Sequence, residues 1–116
     1  MHFKTNTFTA ADGEIICYYK WEAYDSQKSR GVIQIAHGVG EHAGRYDRIA
    51  HRLQKEGFTV YANDHRAHGK TAEIKRLYGN YEGTDYFEEV ESDMHELTQL
   101  MRTETTDARF ILIGHS

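Results

Sequence analysis

Three short apolar runs alternate with two longer segments whose apolar residues recur at helical spacing. The apolar runs are Val32–Ala36, Phe58–Ala62 and Phe110–Ile113. Runs of this length are typical of strands covered on both faces of a sheet. One helical stripe consists of Tyr46, Ile49, Ala50 and Leu53, before Gly57; the other consists of Phe87, Val90, Met94, Leu97 and Met101. The order β-α-β-α-β predicts right-handed crossovers around a mostly parallel sheet.

A hairpin is expected before this unit. The two runs Phe3–Ala10 and Glu14–Trp21 flank Asp12-Gly13, a dipeptide that favours a tight turn. The sequence therefore predicts an α/β fold whose mostly parallel sheet carries an N-terminal antiparallel hairpin.

Length and charge narrow the class of protein. The 116 residues suit one domain, and 14 Lys and Arg against 18 Asp and Glu give a formal net charge of −4. This acidic balance argues against a nucleic-acid partner. No apolar run approaches the roughly 20 residues of a membrane span, and no secretory signal is visible. With Cys17 as the single cysteine, a reducing, cytoplasmic compartment is expected, and Cys17 itself is expected to be a small buried hydrophobe.

The last three residues, Gly114-His115-Ser116, directly follow the third apolar run. They match the first half of G-x-S-x-G, a sharp strand-to-helix turn that raises a serine hydroxyl above a sheet. A G-x-S tripeptide is common by chance, so its position immediately after a strand gives it weight.

The segment from His37 to His42 leaves the first apolar run and enters a predicted helix. Unpaired backbone N–H groups at such a place are suited to stabilise an oxyanion. The alternative is an ordinary strand-to-helix turn that uses glycine for its geometry.

The segment Asn63–Gly69 leaves the second run at the sheet edge where α/β proteins bind ligands. In principle its Asp64, His65 and His68 could meet His37 and His42 at a metal. The absence of a helical H-x-x-x-H pair and of a cysteine pair favours no metal.

The motifs HGVGEHAGRY, DHRAHG and GHS, in this order, resemble the N-terminal half of α/β-hydrolase-fold serine hydrolases. The similar branch contains monoacylglycerol lipases and lysophospholipases, of the serine aminopeptidase S33 type. The resemblance runs from about Gly31 to Ser116, and the Phe3–Trp21 hairpin matches the family's opening strands.

The resemblance implies Ser-His-Asp hydrolysis of a small-molecule acyl ester, monoacylglycerol or lysophospholipid, without a cofactor. Ser116 would be the nucleophile and the Val39 backbone N–H an oxyanion-hole donor. The residues implied to shape the site are His37, Gly38, His42, Asp64 and His65.

By the family pattern, the triad acid, the triad base and the acyl-binding cap follow Ser116. Residues 1–116 are therefore expected to be the N-terminal portion of one domain, inactive alone and able to pair with the C-terminal half. The alternatives are a small non-catalytic interaction domain, or a parent that is a peptidase or another acyl-transferring hydrolase.

Overall fold

The computed structural model describes residues 3–24, 29–38, 42–66, 68, 71, 86–105 and 109–115. The strands in this part of the chain are β1 (Lys4–Thr9), β2 (Ile15–Trp21), β3 (Gly31–Ala36), β4 (Phe58–Asn63) and β5 (Phe110–Gly114). The helical segments are a 3₁₀ turn (Ala43–Tyr46), α1 (Asp47–Lys55) and α2 (Tyr86–Glu104). The strands form one sheet in the order β1-β2-β4-β3-β5.

The predicted hairpin is confirmed. Strands β1 and β2 pair antiparallel from Lys4 opposite Lys20 to Thr9 opposite Ile15. In the connecting turn, Gly13 has φ +90°, a backbone conformation that favours glycine. The Gly13 N–H donates to the Ala10 carbonyl at 2.9 Å and closes the turn. Strand β2 then pairs antiparallel with β4, which joins the hairpin to the parallel part of the sheet.

The parallel part of the sheet places β3 between β4 and β5. All six residues of β3 are buried, as a strand covered on both faces should be. Alternate residues supply two apolar cores. Ile33 and Ile35 pack on the side of Ala50 in α1, whereas Val32 packs on the side of Leu97 in α2. The result is a three-layer arrangement with a helix on each face.

The predicted stripe of α1 is confirmed at Ala50, which is buried, but is wrong at Ile49, which is 57% exposed. At 100° per residue, the inward face of this helix centres between Ala50 and Gln54. Gln54 is buried in place of Ile49, and its Nε2 donates to the Glu22 carbonyl at 2.7 Å.

The predicted stripe of α2 is confirmed at Leu97 and Met101, which are buried, and wrong at Phe87, which is 74% exposed. The helix packs on Val32 and Tyr61 through its C-terminal half, so its first turn receives less cover. A hydrogen bond also joins the middle of the helix to β3, because Gln34 Nε2 donates to the Met94 carbonyl at 3.0 Å.

Strand β5 forms where it was predicted, parallel to β3, but the expectation that it is buried is wrong. Ile111, Leu112 and Ile113 are 47%, 61% and 43% exposed. The strand is the last in the sheet order, and among the described residues only β3 pairs with it. Cys17, in contrast, is buried, as predicted. In the described part of the chain, no helix is long and apolar enough to cross a bilayer.

Candidate active site

Three parallel strands end side by side, and the motif residues follow them. In the register of β3 and β5, Ala36 lies opposite Gly114. The His115 N–H continues this ladder by donating to the Ala36 carbonyl at 3.1 Å. Because β4 lies on the other side of β3, the segments that begin at His37, Asp64 and His115 all start at one edge of the sheet. That edge is where open α/β sheets place their ligands.

His37 and His65 hold these segments together through reciprocal hydrogen bonds. The His65 backbone N–H donates to His37 Nε2 at 2.8 Å, and His65 Nε2 lies 3.0 Å from the His37 carbonyl. Since His37 Nε2 accepts, its proton is on Nδ1, which donates to the Gly38 carbonyl at 2.8 Å. Both ring nitrogens of His37 are therefore engaged with backbone, and this buried ring positions the turn that follows β3.

The third histidine of the cluster is His68. Its Nδ1 lies 2.7 Å from the Arg66 carbonyl, and its ring centroid lies 5.3 Å from that of His37. Within the described ranges, no group of three histidine, cysteine or acidic side chains is arranged to hold a metal ion. The predicted site residue His42 is exposed and precedes the 3₁₀ turn, apart from this cluster.

Burial keeps His65 neutral. Loss of solvent, with smaller contributions from the neighbouring His37 and His68, lowers the pKa of His65 from its ordinary 6.5 to about 4. Its Nδ1 is buried and has no hydrogen-bond partner among the described residues. A protonated His65 would therefore bury a charge without compensation.

This lowered pKa predicts an acid-sensitive fold. The unfolded chain binds a proton at His65 below about pH 6.5, whereas the folded chain resists protonation until about pH 4. Stability is thus full above pH 6.5 and falls as the pH drops toward 4, by roughly 2 kcal/mol at pH 4.5. Urea unfolding at pH 7.5 and pH 4.5 measures this loss. We expect the loss of stability between pH 7.5 and pH 4.5 to be smaller by roughly 2 kcal/mol in His65→Gln. The control His95→Gln, at an exposed position, should show the same loss as the unmodified chain. Equal losses in both variants would show that His65 is not the source of the acid sensitivity.

Asp64 is a structural anchor of the site. It is fully buried, and its Oδ1 accepts the Ala43 N–H at 2.6 Å, so it caps the 3₁₀ turn from a neighbouring loop. The Asp64 N–H donates to the Cys17 carbonyl and its carbonyl accepts the Thr71 hydroxyl, both at 2.8 Å. Asp64 thereby ties the turn after β3 to the hairpin strand β2.

Arg66 is a residue that the motif analysis missed. Its side chain is only 4% exposed and pairs with three carboxylates. Its Nε and Nη2 donate to Asp93 at 2.6 and 2.8 Å, and its Nη1 donates to Asp12 at 2.5 Å and to Glu89 at 3.1 Å. These bonds raise the pKa of Arg66, and they lower the pKa of Asp12 to about 2.

The Arg66 cluster joins the hairpin turn, the loop after β4 and helix α2. In the acidic run of α2, Glu88 and Glu91 are exposed, but Glu89 contacts Arg66. The sequence did contain one signal. Asp93 lies four residues before Leu97 on the inward face of α2, where a carboxylate requires a buried partner.

The two residues expected to do the chemistry, Val39 and Ser116, lie outside the described residues, so their roles stay predictions. The described residues on either side of Val39 are held by hydrogen bonds: Gly38 is buried and its carbonyl accepts from His37 Nδ1, and the Ala43 N–H donates to Asp64. Such bonds can hold backbone N–H groups in fixed positions beside whatever follows β5.

A family model described as serine aminopeptidase, S33, matches residues 27–116. The chain belongs to this family. The match begins before β3 and includes every strand and turn of the parallel part of the sheet. It therefore confirms the family to which the three motifs were assigned.

Relatives and a solved structure agree with the S33 assignment. The monoacylglycerol lipase of Mycolicibacterium smegmatis is 36% identical over 111 residues, and the monoglyceride lipase of Mus musculus is 29% identical over 106. These alignments cover 96% and 91% of this chain but 37% and 32% of the relatives. The chain therefore spans about a third of the length of these curated relatives.

The S33 chain is also similar to the crystal structure of a thermostable carboxyl esterase from Bacillus coagulans in complex with glycerol. The TM-score is 0.84 at 28% identity, over 99% of this chain and 36% of the esterase. The predicted incomplete α/β-hydrolase fold is thereby confirmed.

Proposed function

We propose that this chain supplies the nucleophile half of a serine hydrolase that cleaves monoacylglycerols. One observation carries the proposal: the His115 N–H bonds to the Ala36 carbonyl, directly before His37. Strand β5 therefore ends beside the start of the segment that follows β3, and Ser116 is the next residue in the sequence. Two relatives are named monoacylglycerol lipase and monoglyceride lipase, and these names support a glycerol ester as the substrate.

In the proposed reaction, the Ser116 hydroxyl oxygen attacks the ester carbonyl carbon, and its proton passes to a general base. The negative charge that develops on the carbonyl oxygen is stabilised by backbone N–H groups, that of Val39 among them. Collapse expels the glycerol oxygen, which takes the proton from the base. Water, deprotonated by the same base, then releases the fatty acid from the acyl-serine.

Two histidines at the core of the site, His37 and His65, are not suited to be this base. His37 uses both ring nitrogens for backbone bonds, and His65, with a pKa lowered to about 4 by burial, is a weak base. The base and the acid are instead expected in the part of the hydrolase domain beyond Ser116, as the family pattern implies. We propose that residues 1–116 alone do not turn over esters.

We propose further that β5 pairs with that C-terminal half. Three apolar side chains of β5 are exposed, and a strand parallel to its neighbour is normally covered. We also propose a cytoplasmic location, because Cys17 is the single cysteine of the sequence and no disulfide can form within it.

A chimera tests the proposed activity. Residues 1–116 are fused to the remainder of the Mycolicibacterium smegmatis monoacylglycerol lipase, and cooperative unfolding establishes that the product is folded. We expect the chimera to hydrolyse 1-oleoylglycerol, while residues 1–116 alone and a chimera carrying Ser116→Ala release no oleate from it.

The family description names an aminopeptidase, so the same chimera is offered alanine p-nitroanilide. Cleavage of the anilide in preference to the glycerol ester would replace the lipase proposal with a peptidase. A folded chimera that cleaves neither would favour a non-catalytic interaction domain.

A further inference from the structure

The outer face of α1 and of the 3₁₀ turn before it concentrates positive charge on an otherwise acidic protein. Arg45, Arg48, Arg52 and Lys55 are all exposed and line one open groove of about 410 Å³. No ion pair joins Arg48, Arg52 or Lys55 to a carboxylate within the described residues. Glu56, at the end of the helix, lies 4.0 Å from Arg30 instead. We call the four cations and the groove between them the basic face.

Helix electrostatics account for only part of this charge. Cations near the C-terminus of a helix are favourable, which covers Arg45 in the 3₁₀ turn and Arg52 and Lys55 in α1. Arg48 lies in the first turn of α1, where a cation is unfavourable. An external anion would stabilise a cation in that position.

The basic face also carries exposed apolar side chains. Ile49, 57% exposed, lies between Arg45 and Arg52 on the outer face of the helix. Tyr24, 67% exposed, contacts the neighbouring His51, with 6.3 Å between their ring centroids. A phosphate-rich polymer needs the cations but gains nothing from an exposed isoleucine. A bilayer interface accommodates both, because cations meet headgroups while apolar side chains enter the acyl boundary.

We propose that the basic face docks on an anionic phospholipid surface. The net charge of −4 repels the rest of the molecule from such a surface, so the basic face is the side that attraction turns toward it. A lipid-ester substrate, as under the proposed function, would make this docking useful. The docking itself needs no hydrolysis and is measured without it.

The test is sedimentation of the full chain with two sets of sucrose-loaded vesicles. One set is pure phosphatidylcholine, and the other contains 30 mol% phosphatidylserine. We expect binding to the anionic vesicles that weakens as salt is raised, and little binding to phosphatidylcholine. Arg48→Gln/Arg52→Gln should lower the partition coefficient roughly thirtyfold, because each cation near the surface contributes about a factor of five.

The matched control is Lys4→Gln/Arg102→Gln, which changes the net charge equally at exposed positions away from α1. We expect it to bind within about twofold of the unmodified chain, and circular dichroism checks that both variants fold. Ile49→Asn keeps every charge and should weaken binding several-fold. Equal losses in the two double variants would overturn the proposal, as would equal binding to both vesicle types. Binding of RNA or heparin without binding of anionic vesicles would overturn it in favour of a polyanion.

Discussion

Replacing Arg66 by methionine is expected to lower the free energy of unfolding by about 3–5 kcal/mol, a large part of the stability of a chain this size. Methionine keeps the length of the side chain but removes its charge and its donors. The Asp93 carboxylate, 1% exposed, would then be buried without a counter-ion, and Asp12 and Glu89 would lose their bonds across the cluster. Urea unfolding at pH 7 measures the change.

Most of that loss of stability is expected to come from burying the unpaired Asp93 carboxylate, rather than from losing its attraction to Arg66. The double variant Arg66→Met/Asp93→Leu removes both buried charges and should recover much of the stability. The matched control Arg102→Met, at an exposed arginine in α2, should change stability by less than about 1 kcal/mol. A loss at Arg66 no larger than at Arg102 would show that the cluster is not structural.

The elements of this fold could be predicted because their local patterns agree with their tertiary roles. Val32–Ala36 is apolar apart from Gln34, and β3 is buried on both faces. Asp12-Gly13 predicts a turn, and Gly13 takes a positive φ. Alternation within strands and the 3.6-residue period of helices record which face meets a core. Such information is present in a dozen neighbouring residues.

The features that could not be predicted from local sequence patterns depend on residues that are distant in the chain. The spacing of Asp93 from Leu97 places it on the inward face of α2, but no local pattern identifies its partner Arg66, 27 residues earlier. The tautomer of His37 is set by the His65 backbone N–H, 28 residues away. The exposure of Ile113 depends on how far the sheet extends beyond β5, which no local pattern records.

In the chimera, Ser116→Ala is expected to lower kcat for 1-oleoylglycerol by at least about 10³-fold, with little change in stability. Without the hydroxyl no acyl-serine forms, and the donors of the oxyanion hole retain only a small part of the rate enhancement. The place of Ser116 in the sequence supports a large effect, because it directly follows His115, which is bonded to Ala36 at the end of the parallel ladder.

Ser92→Ala, at an exposed serine of α2, is the matched control and should leave kcat unchanged. The decisive measurement is therefore the kcat of the folded chimera with and without the Ser116 hydroxyl, on the same substrate and at the same pH. A loss of three orders of magnitude or more for Ser116→Ala, with none for Ser92→Ala, is the result we predict. Turnover that survives Ser116→Ala within tenfold would contradict the assignment of the nucleophile and the hydrolase function built on it.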